Sequence, residues 1–431
     1  MRTPSNRISP WLTGFVAFIA ALAAVVLALN FSAGEKKIRQ QLVREYSVAD
    51  PQFHRAMGSL LGPGIVGGNQ AVELLNGDQI FPAMLDAIRA ARTTISFETY
   101  IYWSGEIGKR FADALSERAK AGVKVHILLD WVGSAKMDEA LLNEMKDAGV
   151  DIRKFHKPAW YNFAKLNNRT HRKLLVVVDG RVGFTGGVGI APKWTGAGQD
   201  PEHWRDSHYR IEGPVVAQMQ STFLDNWLKV SGQVLHGEAY FPDIKPAGGM
   251  PAQMFSSSPS GGSENVELMY HMALTAAAKT IDLSMAYFVP DEVSTGILLD
   301  AMRRGVRLRL ITPGDITDTE TVRAASRASW GALLAAGAEI YEFQPSMYHC
   351  KVMIVDGLMV SVGSTNFDNR SFRLNDEANL NIYDAAFAAR QTAVFEQDLK
   401  QSRRVSLEEW VNRPLSEKFN EKLALLLNSQ L

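Results

Sequence analysis

Two stretches of this 431-residue chain set a histidine and a lysine two residues apart, ahead of an apolar run that ends in Asp-Gly. In one, His349 and Lys351 precede Val352–Val355 and Asp356-Gly357. In the other, His171 and Lys173 precede Leu174–Val178 and Asp179-Gly180. On extended backbone, residues two apart share a face, so each lysine stands beside its histidine. Imidazole changes charge near neutrality and serves as nucleophile or acid/base, and a fixed cation next to it stabilises phosphoryl oxygens. The pair therefore suits chemistry at an anionic phosphate. A single copy would be explained as well by chance at a strand mouth. Two copies imply an internal repeat, each supplying half of one site.

Each copy continues alike. Seven residues after Asp179 and Asp356 come Gly186-Gly187 and Gly363-Ser364, the second followed by Asn366. Small residues and an amide beside the pair suit close approach to a phosphate. An acidic residue follows in each repeat, Asp206 in WRDSHYRIEG and Glu377 in LNDEANLNI. This duplicated H-x-K-x4-D with G-[SG]-x-N resembles the phospholipase D superfamily. Within it, NFDNRSFRLNDE and FETYIYW are similar to bacterial cardiolipin synthases, the likeness covering nearly all of the chain after about residue 60.

The resemblance implies two phospholipase D-like α/β repeats about a pseudo-twofold axis, with both His-Lys pairs on one phosphate. It implies phosphatidyl transfer from one phosphatidylglycerol to another through a phosphohistidine, with no cofactor and no metal. His171 is the expected nucleophile, His349 the general acid/base, and Lys173 and Lys351 the charge stabilisers. Asp206 and Glu377 are expected to contact the histidines, holding their tautomers and raising their pKa. Gly186, Gly187, Gly363, Ser364 and Asn366 are expected around the phosphate. Asp179 and Asp356 read either as motif residues of the catalytic set or as turn formers before glycine. Glu98, in FETY, either meets the polar head of a substrate or closes a strand end.

Two departures from the family pattern stand out. Five residues, not four, separate Lys173 from Asp179, so either a β-bulge absorbs one or Asp179 is displaced. Gly189 stands where the first motif would have asparagine. Neither removes a histidine or a lysine.

The elements that must position these groups alternate in type. ISFETYIYW (95–103) and VKVHILLD (123–130) read as strands around a helical pattern at Arg110–Ala121 closed by Gly122. IDLSMAYFV (281–289), helix-like Thr295–Arg304, Gly305 and VRLRLIT (306–312) repeat that order. Alternation implies a largely buried sheet flanked by helices in each repeat. The expected division is an anchor over 1–34, a linker helix and boundary loop over 35–68, a first repeat over 69–240, a Pro/Gly/Ser-rich connector loop over 241–265, and a second repeat over 266–431. His126 reads as structural. Tyr100, Tyr102, Trp103, Trp160, Tyr161 and Phe163 read as core aromatics or a lipid-facing rim.

Trp11–Phe31 carries no charge and is long enough for one transmembrane helix. A cleaved signal peptide is the competing reading. With the resemblance, the anchor implies a single-pass protein of the bacterial inner membrane. The 46 basic and 46 acidic residues cancel, which argues against a nuclease, whose surface should be basic. Phospholipid and membrane are the expected partners, with no nucleic acid. A phospholipase D-type hydrolase is the alternative enzyme. The single cysteine, Cys350, leaves no internal disulfide and reads as a small buried residue. Protein partners and oligomeric state stay open.

Overall fold

A computed structural model describes residues 10–31, 38, 40–155, 167–177, 180–259 and 265–426. The first half contributes β1 (Val66–Leu75), β2 (Thr94–Thr99), β3 (Lys124–Asp130), β4 (Asp151–Phe155), β5 (Arg169–Thr170), β6 (Leu174–Val177), β7 (Val182–Gly186) and β8 (Ser207–Glu212). The second contributes β9 (Met250–Ser257), β10 (Thr280–Met285), β11 (Phe288–Val289), β12 (Arg307–Pro313), β13 (Glu339–Phe343), β14 (Lys351–Val355), β15 (Met359–Gly363), β16 (Phe367–Asp368), β17 (Asn375–Tyr383) and β18 (Ser402–Val405).

Sixteen of these form one sheet, whose order runs β18-β13-β12-β10-β14-β15-β17-β9-β1-β8-β7-β6-β2-β3-β4, with β5 against β17. Outward from the β9–β1 pair, the order β9-β17-β15-β14-β10-β12-β13 matches β1-β8-β7-β6-β2-β3-β4, element for element. The duplication in the sequence is thus a duplication of topology, with the pseudo-twofold between β1 and β9. In each half β-branched and leucine-rich strands are buried on both faces, as in parallel α/β sheets. Helix Glu106–Lys120 carries the chain from β2 to its parallel neighbour β3, and helix Glu292–Arg303 leads to β12 beside β10. Between the halves lies a core of residues from both, including Leu174, Tyr209, Met254, Val352 and Leu380.

Three expectations change. The connector 241–265 is not all loop, because β9 runs through it and pairs with β17 on one side and β1 on the other. Its Pro/Gly/Ser composition signals a turn, but a central place in the sheet satisfies its backbone on both edges and overrides local preference. The boundary loop gives way to strand at Val66. Among the described residues the linker is helical over Pro51–Leu61, where the Asp50 carboxylate accepts from the Gln52 amide and Pro51 opens the helix.

The extra residue before Asp179 causes no bulge in β6. Val177 pairs with Val182, leaving four residues in the turn, whereas Val355 pairs with Met359, leaving three. The insertion lengthens the turn and leaves the strand register, and with it the facing of Lys173, unchanged. Asp179 itself lies outside the described residues.

At the amino end a 22-residue helix spans Pro10–Phe31. Side chains are described only over 11–25, and among the described residues no helix is long and apolar enough to cross a membrane.

Candidate active site

His171 and His349 lie at matching places, each just before the first strand of an antiparallel hairpin, β6–β7 and β14–β15. Both face one cavity of about 670 Å³, with Lys173 and Asn366 also in its wall. Each half reaches across to hold the other's histidine. The His171 amide donates to the Asp376 carbonyl at 2.8 Å, and the His349 amide donates to the Arg205 carbonyl at 2.8 Å. The acid that follows each carbonyl takes the imidazole. His171 Nδ1–H donates to Glu377 at 2.9 Å, and His349 Nδ1–H donates to Asp206 at 2.8 Å. This crossed pairing leaves both Nε2 atoms free of the carboxylates. Neither half can build a competent histidine alone.

The acids are themselves fixed. Glu377 accepts from Ser364 Oγ at 2.5 Å and from Asn375 Nδ2 at 3.2 Å. Asp206 accepts from the Ser207 amide at 2.8 Å and from Trp194 Nε1 at 3.0 Å. Where the second copy has Ser364, the first has Gly187, and the indole N–H supplies the missing donor. A Cβ on Gly187 would stand 2.2 Å from Asp206 Oδ1, and one on Gly363 2.3 Å from the Ala378 carbonyl. Glycine is needed at these points so that the acid-bearing strands can approach. Gly189 likewise packs under Trp194, where a Cβ would come within 3.1 Å of the indole, so asparagine does not fit there.

Lys173 and Lys351 are nearly fully buried. Lys173 Nζ donates to the His171 carbonyl at 2.8 Å, and Lys351 Nζ donates to the His349 carbonyl at 2.6 Å. Tyr100 meets the His171 ring edge-on at 5.2 Å, and Trp194 and Trp204 flank His349 at 5.3 and 5.5 Å. Each imidazole is therefore walled by aromatic surface and open toward the cavity.

This walling changes an expectation about charge. Desolvation lowers the His171 pKa to about 4, against the opposing pull of Glu377. The drop from the ordinary 6.5 amounts to roughly 3 kcal/mol against the imidazolium, so burial outweighs the carboxylate. His349 is lowered too, by desolvation and then by Lys351. In the free protein this makes His171 neutral at pH 7, with Nδ1–H on Glu377 and a lone pair on Nε2. Glu377 and Asp206 are held below the usual carboxylate range; burial pushes them up, but the adjacent histidine, lysine and hydrogen-bond donors together outweigh it. Lys173 falls to about 7 through desolvation.

A pH dependence follows. In free protein the Lys173 charge is present below about pH 7 and lost as pH rises through it, so kcat/KM should fall above about pH 7. A bound phosphodiester favours the ammonium, so the alkaline limb of kcat should lie higher than that of kcat/KM. Rate profiles from pH 5 to 9 check this. Coincident limbs in both parameters would contradict it.

The structure also separates the remaining candidates. Asp356 sits at the far end of β14 from His349, with φ 54°, and its carboxylate accepts from the amides of Ala278, Lys279 and Thr280 at 2.7–2.9 Å. These contacts suit a turn and scaffold residue, and Asp356 does not line the cavity. Glu98 is buried beneath the site, accepting from Thr170 Oγ1 at 2.5 Å and Asn226 Nδ2 at 2.8 Å, its pKa pushed by burial up to about 7. It does not line the cavity. Gly186, Gly187, Gly363 and Ser364 stand behind the acids and do not line the cavity, whereas Asn366 does, its Oδ1 without a partner among the described residues.

Cys350 is buried as expected, and His126 pairs with the Tyr240 hydroxyl at 2.9 Å. Tyr100 and Trp103 line the cavity; Tyr102 is core; Trp160, Tyr161 and Phe163 lie outside the described residues. Trp194, Trp204 and Asn375 were not singled out from sequence. Trp204 and Asn375 do carry a signal, since each stands two residues before its acid on extended chain and so shares its face.

Residues 84–227 and 270–399 match the family described as cardiolipin synthase, PLD-like domain. The chain is 35% identical over 356 residues to cardiolipin synthase A of Pseudomonas fluorescens (strain SBW25), covering 82% of this chain and 74% of the relative. It is 36% identical over 361 residues to a probable cardiolipin synthase of Bacillus subtilis (strain 168), covering 83% and 71%. Among solved structures, the phosphatidylserine synthase of Haemophilus influenzae Rd KW20 superposes with a TM-score of 0.67 at 14% identity, over 88% of this chain and 99% of that one. That likeness shows the shared fold.

Proposed function

The chain belongs to the cardiolipin synthase family of phospholipase D-like proteins, and from that premise we propose how its cavity works. The protein is a phosphatidyltransferase of the phospholipase D superfamily that makes cardiolipin from phospholipid substrates. The reading of its mechanism rests on one observation, the two crossed histidine–acid pairs open to a single cavity.

His171 Nε2 attacks phosphorus of a phosphatidylglycerol. The bond to the glycerol oxygen breaks, and that oxygen takes a proton from His349 Nε2, giving free glycerol and a phosphatidyl-His171 intermediate. A hydroxyl of a second phosphatidylglycerol then gives its proton back to His349 and attacks phosphorus, releasing His171 and forming cardiolipin. Lys173 and Lys351, both nearly fully buried, carry the charge on the phosphoryl oxygens through both steps. His349 must be protonated for the first step. The anionic diester, once bound, favours the imidazolium that burial disfavours in the free protein.

The repeats are assigned to 69–240 and 266–431, and β9, which lies between them in the chain, is the second half's counterpart of β1. Helix Pro10–Phe31, about 33 Å long at 22 residues and free of charge, is assigned as a single membrane anchor in the bacterial inner membrane. It holds the cavity close to its lipid.

Purified full-length protein given phosphatidylglycerol should yield cardiolipin and an equal amount of glycerol, resolved by thin-layer chromatography and an enzymatic glycerol assay. Phosphatidic acid as the sole lipid product would overturn transfer in favour of hydrolysis.

A further inference from the structure

The last described helix, Leu415–Leu425, wears its apolar side outward. Leu415 is 81% exposed, Phe419 68%, Leu423 55%, and Leu426 just beyond it 77%. At 100° per residue these four fall within a wedge of about 80°. The opposite face holds Glu421 and Ala424, which are buried. A helix on a water-facing surface should show the reverse.

Charge is sorted as well. Glu417 pairs with Arg327 at 3.1 Å, and Glu421 with Arg413 at 2.5 Å, so both acids turn toward the body of the protein. The cations left beside the apolar stripe are Lys418 and Lys422, four residues apart. An apolar face flanked by lysines suits an anionic bilayer surface, the rings and leucines entering the acyl boundary and the ammonium groups reaching headgroups. The preceding helix, Leu407–Asn412, extends the surface with Val411, 48% exposed.

Position supplies the third observation. Ala424 shares a buried cluster with Val322, and Val322 lines the cavity that holds both histidines. The helix that carries the stripe therefore packs, by its opposite face, on the cluster that forms part of the cavity wall.

We propose that the outward face of Leu415–Leu426 inserts at the membrane surface and seats the cavity mouth against the lipid from which substrate is drawn. The proposal rests on the reading of the substrate as a membrane lipid. The anchor restricts the protein to the membrane; this helix sets the orientation of the cavity upon it.

The test uses full-length protein in vesicles of phosphatidylglycerol and phosphatidylcholine, with an environment-sensitive dye on Phe419→Cys or, for comparison, on Asn420→Cys on the polar flank; buried Cys350 stays unlabelled. Lipids with brominated acyl chains should cut emission at position 419 about two-fold or more, and at position 420 much less. Equal quenching at both positions, or quenching of 419 by aqueous iodide alone, overturns the proposal. Excimers between labels at 419 that rise with protein density would instead assign the face to a second copy of this chain, and overturn it too.

A kinetic arm keeps the proposal apart from the reading beneath it. Leu415→Gln/Phe419→Gln/Leu423→Gln should lower kcat/KM on vesicle phosphatidylglycerol about ten-fold and leave turnover of dispersed short-chain phosphatidylglycerol unchanged. Equal losses on both substrates would make the helix merely structural, and no loss on either would make it idle. Wild type inactive on both would refute the transferase, while the dye depths would still report on the helix.

Discussion

His171→Ala and His349→Ala should each reduce cardiolipin formation by about 10⁴-fold or more, and the double variant should be no worse than either. The argument is geometric. Both imidazoles face one cavity, and each is oriented by an acid from the opposite half, so neither half retains a working site when the other's histidine is lost. If each repeat held its own site, single variants would retain about half the activity and losses would combine. Folding should survive, because Glu377 keeps Ser364 and Asn375, and Asp206 keeps Trp194 and the Ser207 amide. Thermal unfolding beside radiolabelled lipid assays separates loss of chemistry from loss of structure.

Glu377→Gln and Asp206→Asn should each cost roughly 10²–10⁴-fold with phosphatidylglycerol, since an amide holds the wrong tautomer and cannot support a developing imidazolium. The two should part company with an activated donor, a phosphatidyl nitrophenol whose leaving group needs no proton. Asp206 serves the acid/base, so its variant should regain the first step, seen as a burst of nitrophenol. Glu377 serves the nucleophile, so its variant should show no burst. The assignment crosses the halves. A second-repeat acid controls a first-repeat histidine, a coupling that an acid acting within its own repeat would reverse. A burst from Glu377→Gln but not from Asp206→Asn would exchange the two roles.

Much of this was legible in the chain. The paired His-Lys spacings gave the duplication, and the matched helix–glycine–strand junctions at Gly122 and Gly305 gave the α/β repeats. The crossing was not legible, because Asp206 and Glu377 follow the histidines of their own repeats in sequence, and only the packing of β5 on β17 and of Arg205 beside Tyr348 exchanges them. The lowered histidine pKa was missed for a related reason. A carboxylate partner is visible as a residue, whereas the burial that outweighs it is a property of the assembled cavity. β9 was hidden by its own proline and serines. Gly187 and Gly363 were assigned to the phosphate, yet their small size serves the approach of the strands behind the acids. Trp194 carried no signal, since nothing in its spacing announces a hydrogen bond to Asp206 twelve residues on.

The central claim is that His171 carries the phosphatidyl group while His349 moves the proton. His349→Ala protein mixed with the nitrophenyl donor, denatured at alkaline pH where phosphohistidine persists, and digested for mass spectrometry tests it directly. The account predicts a phosphatidyl adduct on the peptide containing His171, and none when His171→Ala is treated likewise. An adduct formed on His349 in the His171→Ala protein, with His171 unmodified in the other, would contradict it.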